Sequence, residues 1–296
     1  MNIIGHRKLY YSISGVVIIA SLAALLLWGF RLGIDFTGGS SWQVKAQHMD
    51  IKTISALFAQ QGIPYVSAEP LGTDELMLRF EEVPEVKHQQ LLTALRGAYP
   101  DVIEEQFAVI GPAISDELRS KAMTAILFVL FGISLYIAFA FREVSRPLSS
   151  WVYGFVTLFT LFHDAIVPAG VFSFLGHFKH VEIDSNFVVA MLVVMGFSVH
   201  DTIVVFDRVR ENLRRVTEKI SFEELVNRSM VETFARSVNT SLTVLLVLLS
   251  LFIFGEPNLR YFILTLLIGI TTGTYSSIFI ASPILVDIAY SKAKKK

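Results

Sequence analysis

Long uncharged runs broken by short polar stretches set the pattern of this chain. No Asp, Glu, Lys or Arg lies between Lys8 and Arg31, between Lys121 and Arg142, between Arg236 and Glu256, or between Arg260 and Asp287. A hydrocarbon core of about 30 Å takes roughly 20 apolar residues in helix, so each run is long enough to cross a bilayer. Residues 151–176 and 185–206 are as long but carry His163 with Asp164 and His200 with Asp201. The pattern predicts six transmembrane helices at 9–30, 121–141, 151–176, 185–206, 236–255 and 260–286. Pro168 and Pro283 are expected to kink the third and sixth.

Between the first two spans the period changes. Trp42, Val44 and Ala46 alternate with Gln43 and Lys45, which is strand spacing. Asp50 is placed to cap a helix with Ile51, Ile54 and Phe58 on one face, ended by Gly62. A short extended stretch from Tyr65 to Glu69 follows, and then Leu76, Leu78 and Phe80 alternate with Met77 and Arg79. A second helix after Pro84 carries Leu91, Leu92 and Leu95, and a last strand covers 102–110. The order βαββαβ is that of a ferredoxin-like α+β domain over residues 31–119. It shows no catalytic cluster, which favours a binding or mechanical module.

Residues 207–235 form a second polar segment. Val209, Leu213 and Val216 make an apolar face beside Arg208, Arg210, Arg214 and Arg215. Ser221 and Glu224 fit a capping box ahead of Leu225, Val226 and Met230. Such basic amphipathic segments lie against the membrane surface or form a partner site.

Composition agrees with a membrane protein: 53% hydrophobic, 17% charged, mean hydropathy +0.57. The net charge of -1 gives no basic surface for nucleic acid. With no cysteine, disulfides and thiolate chemistry are excluded. No Walker A loop, G-x-G-x-x-G, H-E-x-x-H or G-x-S-x-G is present, so neither an enzyme nor a cofactor is expected.

Basic residues set the orientation. Arg7, Lys8, Arg142, Arg146, Arg208, Arg210, Arg214, Arg215, Lys219, Arg228, Lys292, Lys294, Lys295 and Lys296 fall on one side. The short loops of the other side hold only Lys179 and Arg260. Residues 1–8, the 207–235 loop and the basic tail 287–296 are therefore expected in the cytoplasm, with 31–119 outside. The first span has no small-residue cleavage site and reads as a retained anchor.

Ionisable groups inside the spans are the candidate chemistry, since each costs about 2.5–3.5 kcal/mol at a helix centre. Asp201 lies near the cytoplasmic end of the fourth span and Arg236 opens the fifth. The two could meet, as a structural ion pair or as a proton carrier and its counter-ion. His163 and Asp164 sit mid-span, as an interior polar pair orienting helices or as part of a proton pathway. His200 points about 100° away from Asp201, which suits a packing residue better than a direct role. His177, His180, Glu182 and Asp184 crowd one outer loop, where loop histidines seldom hold a metal; no metal is expected. Gly269, Gly273 and Ser277 form a small-residue stripe on the sixth span that admits a close neighbour.

Three runs resemble the SecF family of protein-export membrane subunits. They are Gly33-Ile34-Asp35-Phe36-Thr37-Gly38-Gly39, then Asp201-Thr202-Ile203-Val204-Val205-Phe206-Asp207-Arg208-Val209-Arg210-Glu211-Asn212, then the stretch opened by Gly273 and closed by Pro283. The resemblance implies half of a twelve-helix transporter of the resistance-nodulation-division type in a bacterial inner membrane. It implies SecD as partner, alongside the Sec translocon channel, translocating preproteins and membrane lipids. It also implies that proton-motive force drives export, with Asp201 and Arg236 as the essential charges. The residue before that Asp is typically Asn in the family and is His200 here, a second titratable group beside the first. An independent proton-coupled exporter of lipids or small molecules and a passive scaffold of the channel are the competing readings.

The expected topology is testable in the cysteine-free chain. A single cysteine at Gln60 should react with an impermeant maleimide in intact cells stripped of their outer membrane. Labelling only from the cytoplasmic side would refute the orientation.

Overall fold

The computed structural model describes residues 2–64, 66–71, 74–141, 148–215 and 220–294. Tyr65 of the expected second strand, Val216 of the amphipathic face, and Arg142, Arg146, Lys219, Lys295 and Lys296 of the orientation argument lie outside the described residues. In chain order the elements are α1 (Arg7–Trp28), α2 (Ile34–Thr37), β1 (Gly39–Lys45), α3 (Ile51–Gln60), β2 (Ser67–Pro70), β3 (Glu75–Phe80), α4 (Glu85–Ala98), β4 (Ile103–Ile110), α5 (Pro112–Ala140), α6 (Ser150–Lys179), α7 (Ser185–Arg215), α8 (Phe222–Phe254), α9 (Arg260–Ser276) and α10 (Ser282–Lys294). The chain divides into two compact units. One holds Met1–Phe30, Ala125–Lys179 and Asn186–Lys296, and the other holds Arg31–Thr124 and His180–Ser185.

In the smaller unit, β1 and β3 follow the expected alternation. The sheet order is β2-β3-β1-β4, antiparallel throughout, with Trp42 opposite Leu78 on one side and Phe107 on the other. Trp42, Val44, Leu76, Leu78 and Phe80 point to one face and are buried under Ile54 and Phe58 of α3 and Leu91, Leu92 and Leu95 of α4. Asp50 caps α3 by accepting from the Thr53 N–H at 3.0 Å. His88 is buried in the same core, with Nδ1 3.2 Å from Glu85 and Nε2 2.9 Å from Glu104, and stacks on Phe107. Satisfying both ring nitrogens is what lets a polar ring stay there.

The glycine-rich turn enters β1 through the backbone. Gly38 and Gly39 have φ of +73° and +123°, where side chains are strained. Gly33, at ordinary φ, donates its N–H to the Ile183 carbonyl at 2.9 Å. Asp35 Oδ2 accepts from the Ser185 N–H at 2.8 Å, at the first residue of α7, where a free donor and the helix dipole both favour an anion. Glu182 joins Arg31 and Arg79 at 3.3 and 3.0 Å. Burial pushes its carboxyl above the ordinary value, against the pull of the two guanidinium groups.

Among the described residues, six helical segments are long and apolar enough to cross a membrane: Ile4–Trp28, Pro112–Ile137, Ser150–Lys179, Ser185–Arg215, Phe222–Phe254 and Pro257–Lys292. Several outrun the uncharged stretches. α7 continues to Arg215 and α8 starts at Phe222, so the amphipathic stretches of 207–235 are extensions of these helices. The Ser221 side chain caps α8 by accepting from the Glu224 N–H at 3.1 Å. The two extensions are joined by Asn212, which donates to Ser229 and Glu232, and by the Arg208–Glu232 ion pair.

The chain start packs into this end of the larger unit. Ile3 and Ile4 are buried against Val205, Val209, Leu225, Val226 and Met230. The Asn227 side-chain oxygen Oδ1 accepts from the N–H groups of both isoleucines. Arg7 bridges Glu223 and Asp287, Tyr11 donates to Asp287, and Tyr290 donates to Glu223.

Pro168 sits inside α6, which continues through it. At Pro283 the helix adapts differently: Ser277–Ala281 forms a π-turn between α9 and α10. Proline removes one N–H and crowds the carbonyl four residues back, and a widened turn relieves both.

Gly39 gives a sharp test of the turn. A Cβ there would lie 2.7 Å from the Phe80 carbonyl oxygen at positive φ. Gly39→Ala should destabilise the smaller unit by about 1–3 kcal/mol. Gly97→Ala, in α4 with open space around it, should instead stabilise by about 0.5–1 kcal/mol. Urea unfolding of the purified chain, followed by Trp42 fluorescence, measures both.

Candidate proton-handling site in the transmembrane unit

Small residues let the helices of the larger unit approach closely enough to bury polar groups. A Cβ on Gly269 would meet Val194 at 2.2 Å and one on Gly273 would meet Ser198 at 3.1 Å, so the expected stripe on α9 presses on α7. Ser277 belongs to it too: its hydroxyl lies 2.8 Å from Thr202 on α7. A third close approach was not apparent in the sequence. A Cβ on Gly170 of α6 would stand 2.4 Å from the Ser21 Cα of α1. Ser173, one turn further, donates to the carbonyls of Ala24 and Gly29 at 2.8 and 2.6 Å.

Asp164 sits where these helices converge and is fully buried. Its Oδ1 lies 2.8 Å from His163 Nδ1. Its Oδ2 accepts from the hydroxyls of Ser198 on α7 and Ser276 on α9, the latter at 2.6 Å. Pro168, four residues on, also lacks the N–H that the Asp164 main-chain carbonyl would otherwise accept from. His163 is 3% exposed, and its Nε2 lies 3.0 Å from Ser14 Oγ on α1. One carboxylate–imidazole pair thus gathers side chains from four helices. Ser14, Ser198 and Ser276 were missed by the sequence reading, because single serines in apolar spans are common. Hydroxyls at one depth on three different spans were the available signal.

Asp201 is 5% exposed on α7, one helical turn beyond Ser198. Its Oδ2 is buried and has no hydrogen-bond partner, although the Ser237 hydroxyl of α8 lies beside the carboxyl. The expected meeting with Arg236 does not occur in this structure. Ser237 is the residue of α8 turned inward, at 1% exposure, and Arg236, about 100° round the helix, is exposed with no ion pair among the described residues. His200 is also exposed, on the side of α7 away from Asp201. The loop histidines go to separate partners: His177 stacks on Trp28, and His180 lies 2.6 Å from Arg31.

The arrangement offers two different carboxyls in one apolar bundle. Asp164 has three hydrogen-bond donors, and Asp201 has a buried oxygen with none.

Residues 90–291 match the family described as "Protein export membrane protein SecD/SecF, C-terminal", and residues 29–48 match the SecD/SecF GG motif. The chain is 43% identical to the protein translocase subunit SecF of Thermobaculum terrenum, over 97% of this chain and 93% of the relative. It is 32% identical to the protein translocase subunit SecDF of Thermus thermophilus, over 96% of this chain and 38% of that one. The crystal structure of Thermus thermophilus SecDF, a translocon-associated membrane protein, superposes with a TM-score of 0.86 at 30% identity, covering 97% of this chain and 38% of that one.

The helix contacts beneath this site can be tested at Gly170. Gly170→Ala meets the Ser21 backbone and should lower stability by about 1–3 kcal/mol. Gly132→Ala on α5, with nothing nearby, should not. Thermal unfolding in detergent, read by near-ultraviolet circular dichroism, gives the comparison.

Proposed function

The chain belongs to the SecD/SecF family of protein-export membrane proteins, and from that premise we propose that it is the SecF-type subunit of a translocase that couples proton passage to protein export. It is an accessory subunit of the Sec protein-export machinery. The relatives named SecF over nearly their whole length support this role, and they do not favour an independent exporter. The chain spans 38% of the fused SecDF chain, which supports a SecD-like partner supplying the rest. In this reading six helices form half of a twelve-helix transporter of the resistance-nodulation-division type in the inner membrane. The βαββαβ unit is a ferredoxin-like domain on the outer side, and the termini and the extensions of α7 and α8 are cytoplasmic. The excess of Arg and Lys at those positions supports that orientation. The Sec channel and the emerging preprotein are the further partners.

The observation that carries the mechanism is the buried, donorless oxygen of Asp201. A carboxyl in this setting holds a proton until a donor or cation arrives. Arg236 is a permanent cation one residue from Ser237. A modest rotation or slide of α8 against α7 exchanges one neighbour for the other. Asp201 then releases its proton when Arg236 swings in and rebinds one when it leaves, giving two states whose balance a gradient tilts. Each proton crossing 100 mV makes about 2.3 kcal/mol available for that movement. In the present structure Arg236 is in the outward position, where an acid of the partner half is its natural counter-ion.

Export of a preprotein into inverted membrane vesicles, with and without a proton gradient and at matched protein levels, tests this. Asp201→Asn should keep assembly and abolish gradient stimulation. Arg236→Lys should retain part of it and Arg236→Met none. Full stimulation in Asp201→Asn vesicles would mean a scaffold role only.

A further inference from the structure

We propose that His163 and Asp164 form a second proton-binding station of the transmembrane unit, with the Ser14 hydroxyl turning to follow the proton. This deepens the proton-coupled reading above and rests on it. The two residues are outside the Asp201–Arg236 exchange, yet they are the most completely buried titratable pair in the larger unit among the described residues.

The hydrogen bonds fix what the pair can do. Asp164 is surrounded by donors: His163 Nδ1–H on one oxygen, the Ser198 and Ser276 hydroxyls on the other. That leaves His163 Nε2 as the position where a proton can be gained or lost. Its one partner is Ser14 Oγ at 3.0 Å. A serine hydroxyl both donates and accepts. Facing neutral imidazole, it donates to the Nε2 lone pair; facing imidazolium, it accepts the new N–H. Protonation therefore leaves no polar group unsatisfied, and the Asp164 carboxylate compensates the added charge. The N–H bond forms at Nε2 with a proton taken from water on the high-proton side, and breaks to return one to water on the other side.

No other cation pairs with Asp164 among the described residues. From α7 the nearby titratable group is Asp201, one turn from Ser198. From α9 it is Tyr275, which donates to the Tyr10 carbonyl; from α1 it is Tyr11, which donates to Asp287 of α10. Of these, Tyr275 also interacts with the Ser14 hydroxyl, so it is the second polar group on that side, while none of them bonds Nε2 itself. Ser198 also ties the pair to α7, one of the two helices that the proton exchange at Asp201 would shift, so the station senses that movement directly.

The test uses the full chain, histidine-labelled with nitrogen-15, in lipid nanodiscs with its SecD-like partner. The His163 signal is identified by its disappearance in His163→Gln. In the wild type its ring nitrogens should report gain and loss of a proton as the pH is varied. Asp164→Asn should weaken that uptake at least about tenfold, through loss of the adjacent charge. Ser14→Ala should weaken it as well, and Ser14→Thr, which keeps the hydroxyl, should restore the wild-type midpoint. In the vesicle export assay His163→Gln should shift the pH profile of gradient stimulation. A His163 signal that does not titrate in the wild type, or an unchanged midpoint in Asp164→Asn and Ser14→Ala, overturns the proposal. Asp201→Asn separates the two readings: the His163 titration should persist in it while gradient stimulation is lost. If stimulation persists instead, the coupling mechanism fails, and the station is still decided by its own titration.

Discussion

A buried carboxylate needs donors, and inside a bilayer those donors must come from the protein itself. Asp164 draws them from its own helix and from two others, and its His163 neighbour adds a fourth helix through Ser14. Hydrogen bonds of this length require the helix axes to stand close, which explains why glycine occupies the contact points. Gly170 admits α1, and Gly269 and Gly273 admit α7. Lipid chains are as apolar as leucine, so burial alone gives little net attraction between spans. Close packing and polar satisfaction therefore have to hold the bundle, and both converge on this one aspartate.

Two buried carboxyls of the unit differ in their environment. Asp164 is enclosed by donors from several helices. Asp201 is buried with an oxygen that nothing serves, next to a helix whose arginine faces the other way. The π-turn at Ser277–Ala281 lies directly after Ser276, so the strand of contacts reaching Asp164 ends where the helix is already wound out of its regular form.

Much of this was legible from residue order. Absence of charge marked six spans, and alternation at Trp42–Val44 and Leu76–Leu78–Phe80 marked strands that the sheet register reproduces. The Ser221 cap and the Gly269–Gly273 stripe were readable because their partners lie a few residues away or on one helix face. What was not readable depended on rotation and on distance along the chain. Arg236 and Ser237 are neighbours in sequence, yet only the serine faces inward, and a step of 100° decides which. The serines around Asp164 are separated by dozens of residues and no local pattern joins them. Helix ends differ from the ends of the uncharged stretches for another reason: charge marks where the apolar run stops, while α7 and α8 stay helical beyond it.

The anchoring of the chain start bears on how such a molecule is made. The N–H groups of Ile3 and Ile4 wait for Asn227, more than 220 positions away, and Arg7 and Tyr11 wait for Asp287. Synthesis runs from the first residue to the last, at roughly 5–20 residues per second. This segment is therefore made long before its partners are. Through most of translation the first span stays in the membrane with an unmatched cation and an unmatched phenol at its end. A chain cut short before the sixth helix never closes that loop, and these groups stay open to surveillance by membrane proteases. Completion of the bundle is thus written into contacts between its first helix and its last two.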